Sequence, residues 1–169
     1  MMNTENFSDL PYDEIVNNLY LGSAGALGYH SRFSKIVNCT VDIRFPKYHP
    51  DCIRIPVEDD PLESKNLLRH MEETHVLEKI QDTIQRGKPV LVHCYAGTQR
   101  SCAVVACYLI RYHGMKPMNV VTYISSKRPE AFEEGVHFLH AILRFYHKLS
   151  PIQIPSMHPF SNPSSISSI

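Results

Sequence analysis

Cys94 and Arg100 bracket a short run, Tyr95-Ala96-Gly97-Thr98-Gln99, inside the longer stretch KPVLVHCYAGTQRSCAVVACYLI that spans Lys88 to Ile110. A cysteine thiolate is a strong nucleophile. An arginine fork grips two oxygens of a tetrahedral anion, which lysine cannot do. The residues between them can turn successive amides onto one point as an anion nest, and Gly97 permits the sharp turn and the close approach of backbone to ligand. A nucleophile, an oxyanion cradle and a fixed guanidinium around one tetrahedral site describe covalent phosphoryl transfer through a cysteinyl-phosphate. The candidate residues are thus Cys94 as nucleophile, and Tyr95, Ala96, Gly97, Thr98, Gln99 and Arg100 as binders of the phosphoryl oxygens. A nucleotide-type phosphate loop is excluded, because it needs Gly-x4-Gly-Lys-Ser/Thr and this run has no lysine.

The flanking residues say how such a loop is held. Val90-Leu91-Val92, behind Pro89, predicts a short buried strand. From Ser101 the chain predicts a helix apolar on nearly all sides: Ala103, Val104, Val105, Ala106, Cys107, Leu109 and Ile110. The first amides of a helix have no internal partner and its dipole adds positive character, so a strand feeding a tight loop and a helix favours both the anion and a thiolate. Cys102 and Cys107, inside that helix, read as small buried hydrophobes. Ser101, at the helix start, reads as an N-terminal cap.

His93-Cys94-x-x-Gly97-x-x-Arg100-Ser101 resembles the signature of the cysteine-dependent protein phosphatases. With Ala96 before the glycine, it is most similar to the dual-specificity branch. The likeness covers roughly residues 14–146, and Asn-x-Leu-Tyr-Leu-Gly-Ser, ending at Ser23, resembles the opening of that domain. It implies an α/β fold with a central mixed sheet of about five strands flanked by helices on both faces. It also implies hydrolysis of phosphotyrosine and phosphoserine or phosphothreonine without metal or other cofactor, in a shallow pocket. His93 would hydrogen-bond the loop backbone from behind the nucleophile, and the Ser101 hydroxyl would assist departure of the thiolate. Brevity and the absence of a docking domain look most like the small stand-alone members, including the poxvirus type.

Upstream, Ile55-Pro56-Val57 ends in three carboxylates, Glu58, Asp59 and Asp60. Such a cluster commonly makes a solvated turn or a helix cap. It can also supply the proton that a departing ester oxygen needs. The family register places the acid on Asp59, with Asp60 the next candidate and Glu58 after it. Further along, several members carry an asparagine after Arg-Pro that buttresses the phosphate loop. Here Arg128-Pro129 leads into Glu130-Ala131-Phe132-Glu133-Glu134, so another group must take that part.

The remaining elements follow from periodicity and punctuation. The sequence predicts a strand over Glu14–Gly22 and a short helix from Ala24. It predicts further strands over Lys35–Thr40 and Asp51–Val57. A helix over Leu62–Arg86 shows inward Leu68, Met71, Leu77, Ile80 and Ile84, with His70 and His75 on its surface, and stops at Gly87. A helix over Pro117–Ser126 turns Met118, Val121 and Ile124 inward. A last one over Glu133–Lys148 turns in Val136, Leu139, Leu143 and Tyr146. Residues 1–13 read as a polar N-terminal segment, 14–149 as one catalytic domain, and 150–169 as a flexible Ser/Pro-rich tail.

Composition sets the bounds. The 169 residues suit one domain with a substantial core, and Lys+Arg equals Asp+Glu at 17 each. Neutrality gives no sign of nucleic acid or membrane surfaces as partners; the resemblance implies phosphorylated proteins. Five cysteines without CxxC pairs or metal spacing, and no apolar leader, point to a reducing cytoplasm, with the nucleus also open. A homodimer is compatible with the resemblance, and the residues do not decide it. Three other readings stay open. One is a catalytically dead phosphopeptide-binding module, against which stand Cys94, Arg100 and an acid at 59. Another is an RNA 5′-triphosphatase of the same fold, which would favour a basic surface. The last is a phosphoinositide phosphatase, which would put further basic residues in the loop.

Overall fold

The computed structural model describes residues 9–149, and the tail expected over 150–169 lies outside them. Five strands form one mixed sheet in the order β1-β2-β5-β3-β4. They are β1 (Tyr12–Val16), β2 (Leu19–Gly22), β3 (Lys35–Asn38), β4 (Cys52–Arg54) and β5 (Val90–His93). Only β1 runs antiparallel to its neighbour. The strands β2, β5, β3 and β4 are mutually parallel, with Gly22 opposite His93 and His93 opposite Asn38. Their carboxyl ends therefore share one edge, and the central strand β5 delivers Cys94 to the middle of it. Ligand sites of such sheets form at that edge.

Alternation of side chains divides the core. Val90 and Val92 join Leu19, Leu21 and Val37 on one face, while Leu91 and Ile36 join Tyr12, Ala26 and Phe33 on the other. A 3-10 helix over Ala24–Arg32 covers the second face. Five α-helices pack on the first: α1 (Ser64–Thr74), α2 (Val76–Gln85), α3 (Arg100–His113), α4 (Pro117–Lys127) and α5 (Leu139–Leu149). Helix α3 is buried on every side from Arg100 to Ile110, which is why its sequence shows no polar stripe. Sandwiched between sheet and outer helices, it fixes its own N-terminus, and with it the loop, against a rigid support.

Several expected elements take another form. The strand expected over Glu14–Gly22 is a hairpin, β1 turning at Asn17-Asn18 into β2, with Asn18 at φ 65. Asparagine tolerates that left-handed turn. The edge drawn between residues 13 and 14 falls inside β1, where Tyr12 is buried. The helix expected over Leu62–Arg86 begins with a 3-10 turn at Pro61–Glu63 and breaks at His75, whose φ of 53 ends α1 and starts α2. The inward faces of the last two helices are also shifted. Helix α4 buries Pro117, Val120 and Ile124 and leaves Met118 exposed. Helix α5 starts only at Leu139 and, with Phe138 just before it, buries Ala141 and Ile142 while Leu143 is exposed.

Candidate active site

From Cys94 to Arg100 the backbone is strongly polarised. Every carbonyl of the loop is tied to the scaffold. Ala24 N–H donates to the Tyr95 carbonyl at 2.9 Å, and Phe132 N–H to that of Thr98 at 3.0 Å. Ala103 N–H reaches the Gln99 carbonyl at 2.9 Å. The Arg128 guanidinium takes the remaining two, Nε to the Gly97 carbonyl at 2.9 Å and Nη2 to that of Ala96 at 3.2 Å. The amides behave oppositely. Among the described residues, those of Tyr95, Ala96, Thr98, Gln99 and Arg100 have no protein acceptor, and that of Gly97 donates to Cys94 Sγ at 3.3 Å. A loop with its carbonyls satisfied outward and its successive amides spare offers those amides together to an anion.

Gly97 is the tightest point of this wrap. Its φ is +71, and a Cβ there would meet the Gly22 carbonyl oxygen at 2.5 Å and Arg128 Nη2 at 2.9 Å. The loop thus passes so close to β2 and Arg128 that no larger residue fits.

Cys94 is 2% exposed at the floor of the cradle, with Ser101 Oγ 3.1 Å from its sulfur. Ser101 is therefore engaged with the sulfur; Gln99 occupies the cap position of α3, which carries no side-chain cap. Behind them, His93 Nδ1 lies 3.1 Å from the Cys94 carbonyl and donates to it, leaving Nε2 as the bare nitrogen, buried and without a partner among the described residues. Burial lowers the His93 pKa, which keeps the ring neutral. Burial likewise pushes up the thiols of Cys39, Cys102 and Cys107, consistent with packing roles.

Arg100 is 8% exposed, and its Nη1 donates to the Val57 carbonyl at 3.1 Å while its buried Nε has no acceptor among the described residues. That bond fastens the guanidinium to the segment carrying the three carboxylates. Two of these are now distinguishable. Asp60 Oδ1 accepts from Leu62 N–H at 2.8 Å and caps the 3-10 turn. Asp59 is free of backbone bonds and its Oδ1 faces His137 Nδ1 at 3.2 Å. Glu58 is exposed.

Two residues near the site, and the side-chain role of a third, were not visible to sequence reasoning. Arg128, named from the sequence only as the start of the Arg-Pro pair, itself holds two loop carbonyls; its Nη1 also pairs with Asp13 at 2.8 Å, and both are largely buried. Asp13 comes from β1, 115 positions away, so no local pattern announces the pair. Gln99, expected only to offer its amide, also clamps the turn before α5: its Nε2 donates to the Gly135 carbonyl at 2.8 Å and its Oε1 accepts from His137 N–H at 3.1 Å.

Comparison with known proteins gives the family and the fold. The family model described as "Dual specificity phosphatase, catalytic domain" matches residues 19–148. The chain is 32% identical over 127 residues to dual specificity phosphatase 28 of Homo sapiens, spanning 72% of this chain and 70% of the relative. It is 30% identical over 142 residues to dual specificity protein phosphatase H1 of Variola virus, spanning 78% and 80%. Among solved structures, human DUSP28 superimposes with a TM-score of 0.74 at 28% identity, covering 84% of this chain and 97% of that one.

Proposed function

Because the chain belongs to the dual specificity phosphatase family, with hydrolysis of protein phosphomonoesters as its activity, we propose that Cys94, Arg100, Asp59 and Ser101 divide the work of that reaction as follows. Cys94 Sγ attacks phosphorus, and the bond between phosphorus and the ester oxygen breaks. The amides of Tyr95, Ala96, Thr98, Gln99 and Arg100 receive the equatorial oxygens, and the unpartnered Nε of Arg100 adds a charged donor. Asp59 gives its proton to the leaving hydroxyl. Water then attacks the cysteinyl-phosphate, Asp59 takes back a proton, the P–S bond breaks and phosphate leaves. The Ser101 hydroxyl, 3.1 Å from the sulfur, donates to the departing thiolate. His93 holds the Cys94 carbonyl outward and takes no part as a base.

The observation that carries this reading is the division of the loop: carbonyls bound to the scaffold, amides spare, one sulfur at the centre. Asp59 is preferred to Asp60 because the latter is committed to its cap. Acceptance of phosphotyrosine and of phosphoserine or phosphothreonine is supported by the family likeness. Work in a reducing cytoplasm is part of the proposal, supported by five unpaired cysteines. So is a lack of nucleic-acid partners, given zero formal charge. The test is a kinetic comparison on matched phosphotyrosine, phosphothreonine and doubly phosphorylated peptides. Turnover of the first two is expected; release of phosphate only from triphosphorylated RNA or from inositol lipids would overturn the substrate assignment.

A further inference from the structure

His137 lies outside the phosphate loop, the acid segment and every motif of the chain, yet two bonds join it to both. Its Nδ1 is 3.2 Å from Asp59 Oδ1, and its backbone N–H donates to Gln99 Oε1 at 3.1 Å. Gln99 is anchored in turn to the Gly135 carbonyl at 2.8 Å. The acid segment, the turn before α5 and the phosphate loop are thus joined through one residue, its ring to Asp59 and its backbone to Gln99. The other tie of the acid segment, Arg100 Nη1 to the Val57 carbonyl, lies two residues before Asp59 and does not orient its side chain.

We propose that His137 is a positioning residue for the acid: it determines which oxygen of Asp59 carries the proton and where that oxygen points. The inference rests on the assignment of Asp59 as the proton donor. A carboxyl group offers two oxygens, and only a proton on the one facing the leaving group is useful. With Nδ1–H donating to Oδ1, that oxygen is an acceptor, so the proton resides on Oδ2. After transfer, the same bond stabilises the carboxylate that must activate water in the second half of the reaction. A base or acid whose free rotation is checked by a third group is a recurrent catalytic arrangement. Here the backbone that carries the third group is held by Gln99 of the phosphate loop, which registers the acid against the anion it serves. The side chains are 28% exposed at His137 and 41% at Asp59, so the effect expected is that of a single hydrogen bond near solvent rather than of a buried pair.

The test uses the whole chain and two aryl phosphates, p-nitrophenyl phosphate with a good leaving group and phenyl phosphate with a poor one. His137→Ala is expected to lower kcat on phenyl phosphate by roughly three- to tenfold, the worth of one such bond, and on the nitrophenyl ester by less than twofold. His137→Asn, whose amide Nδ2 can stand where Nδ1 stood, should recover most of the loss. In an Asp59→Asn background, His137→Ala should have no further effect. Equal slowing of both substrates, failure of asparagine to rescue, or a loss that persists without the Asp59 carboxyl would each overturn the positioning role. The Asp59→Asn variant alone separates the two layers of inference. If it shows no leaving-group dependence, the acid is misassigned and the proposal falls with it; if it does and His137→Ala does not, the His137 role alone is refuted.

Discussion

Replacing Arg128 with alanine removes three hydrogen bonds in one step, to the carbonyls of Ala96 and Gly97 and to Asp13. The guanidinium is 5% exposed, so its removal leaves the Asp13 carboxylate facing low-dielectric surroundings and the Ala96 carbonyl unpaired. The Gly97 carbonyl keeps only Cys102 Sγ, a weak donor at 3.4 Å. Breaking a buried ion pair by deleting one partner costs about 3–5 kcal/mol. At about 2–4 °C per kcal/mol for a chain of this size, Tm should fall by roughly 10 °C. Activity should fall further than stability explains, because Arg128 holds the two carbonyls whose outward direction aims the neighbouring amides inward. A kcat loss on the order of 10²-fold, comparable to losing one oxyanion donor, is expected at a temperature well below the transition. Asp13→Asn provides the control. It removes the ion pair but keeps both carbonyl bonds, so it should lower Tm with a much smaller loss of kcat. Melting curves and steady-state rates on p-nitrophenyl phosphate measure both. If Arg128→Ala melts early yet retains kcat within about twofold, Arg128 is only a structural ion pair and the argument linking it to loop posture fails.

Three other substitutions test neighbouring parts of the account. Asp59→Ala should slow phenyl phosphate far more than Asp60→Ala, which removes the cap on Leu62 N–H and should instead cost about 1 kcal/mol of stability; leaving-group kinetics and urea melts separate the two, and the reverse order moves the acid to Asp60. His93 has its pKa lowered by burial from the ordinary 6.5, so the unfolded chain binds that proton more readily than the folded one. The stability it contributes is full above the unfolded value of 6.5 and is lost as pH falls through it toward the lower folded value. His93→Asn, which keeps a donor for the Cys94 carbonyl but does not titrate, should flatten the fall in urea midpoint between about pH 7 and 5; an unchanged slope would contradict a buried neutral ring.

Much of the site was legible because its parts are local. The sulfur, the glycine, the guanidinium and the start of α3 are consecutive, and the strand before them is a plain apolar run. The supports were not legible, since Arg128 reaches back 31 positions to Gly97 and 115 to Asp13. The faces of α4 and α5 were misjudged for a different reason. At α5 and the residue before it, Phe138-Leu139-Ala141-Ile142-Leu143-Phe145-Tyr146 satisfies a helical stripe in more than one register, and packing in the core selects Phe138, Ala141 and Ile142. His75 in a left-handed turn and the Asn17-Asn18 hairpin show the same limit, because each interrupts an apolar pattern without glycine or proline to mark it. The family register put Asp59 ahead of Asp60, but nothing in the sequence showed that Asp60 is taken up by the cap on Leu62 N–H.

The most direct measurement is made on the sulfur. Purified Cys94→Ser should show no turnover of p-nitrophenyl phosphate above background, while still binding a phosphotyrosine peptide in the intact cradle of amides and Arg100. Turnover at a rate near that of the unsubstituted protein would contradict the account, since it would mean that some other group attacks phosphorus.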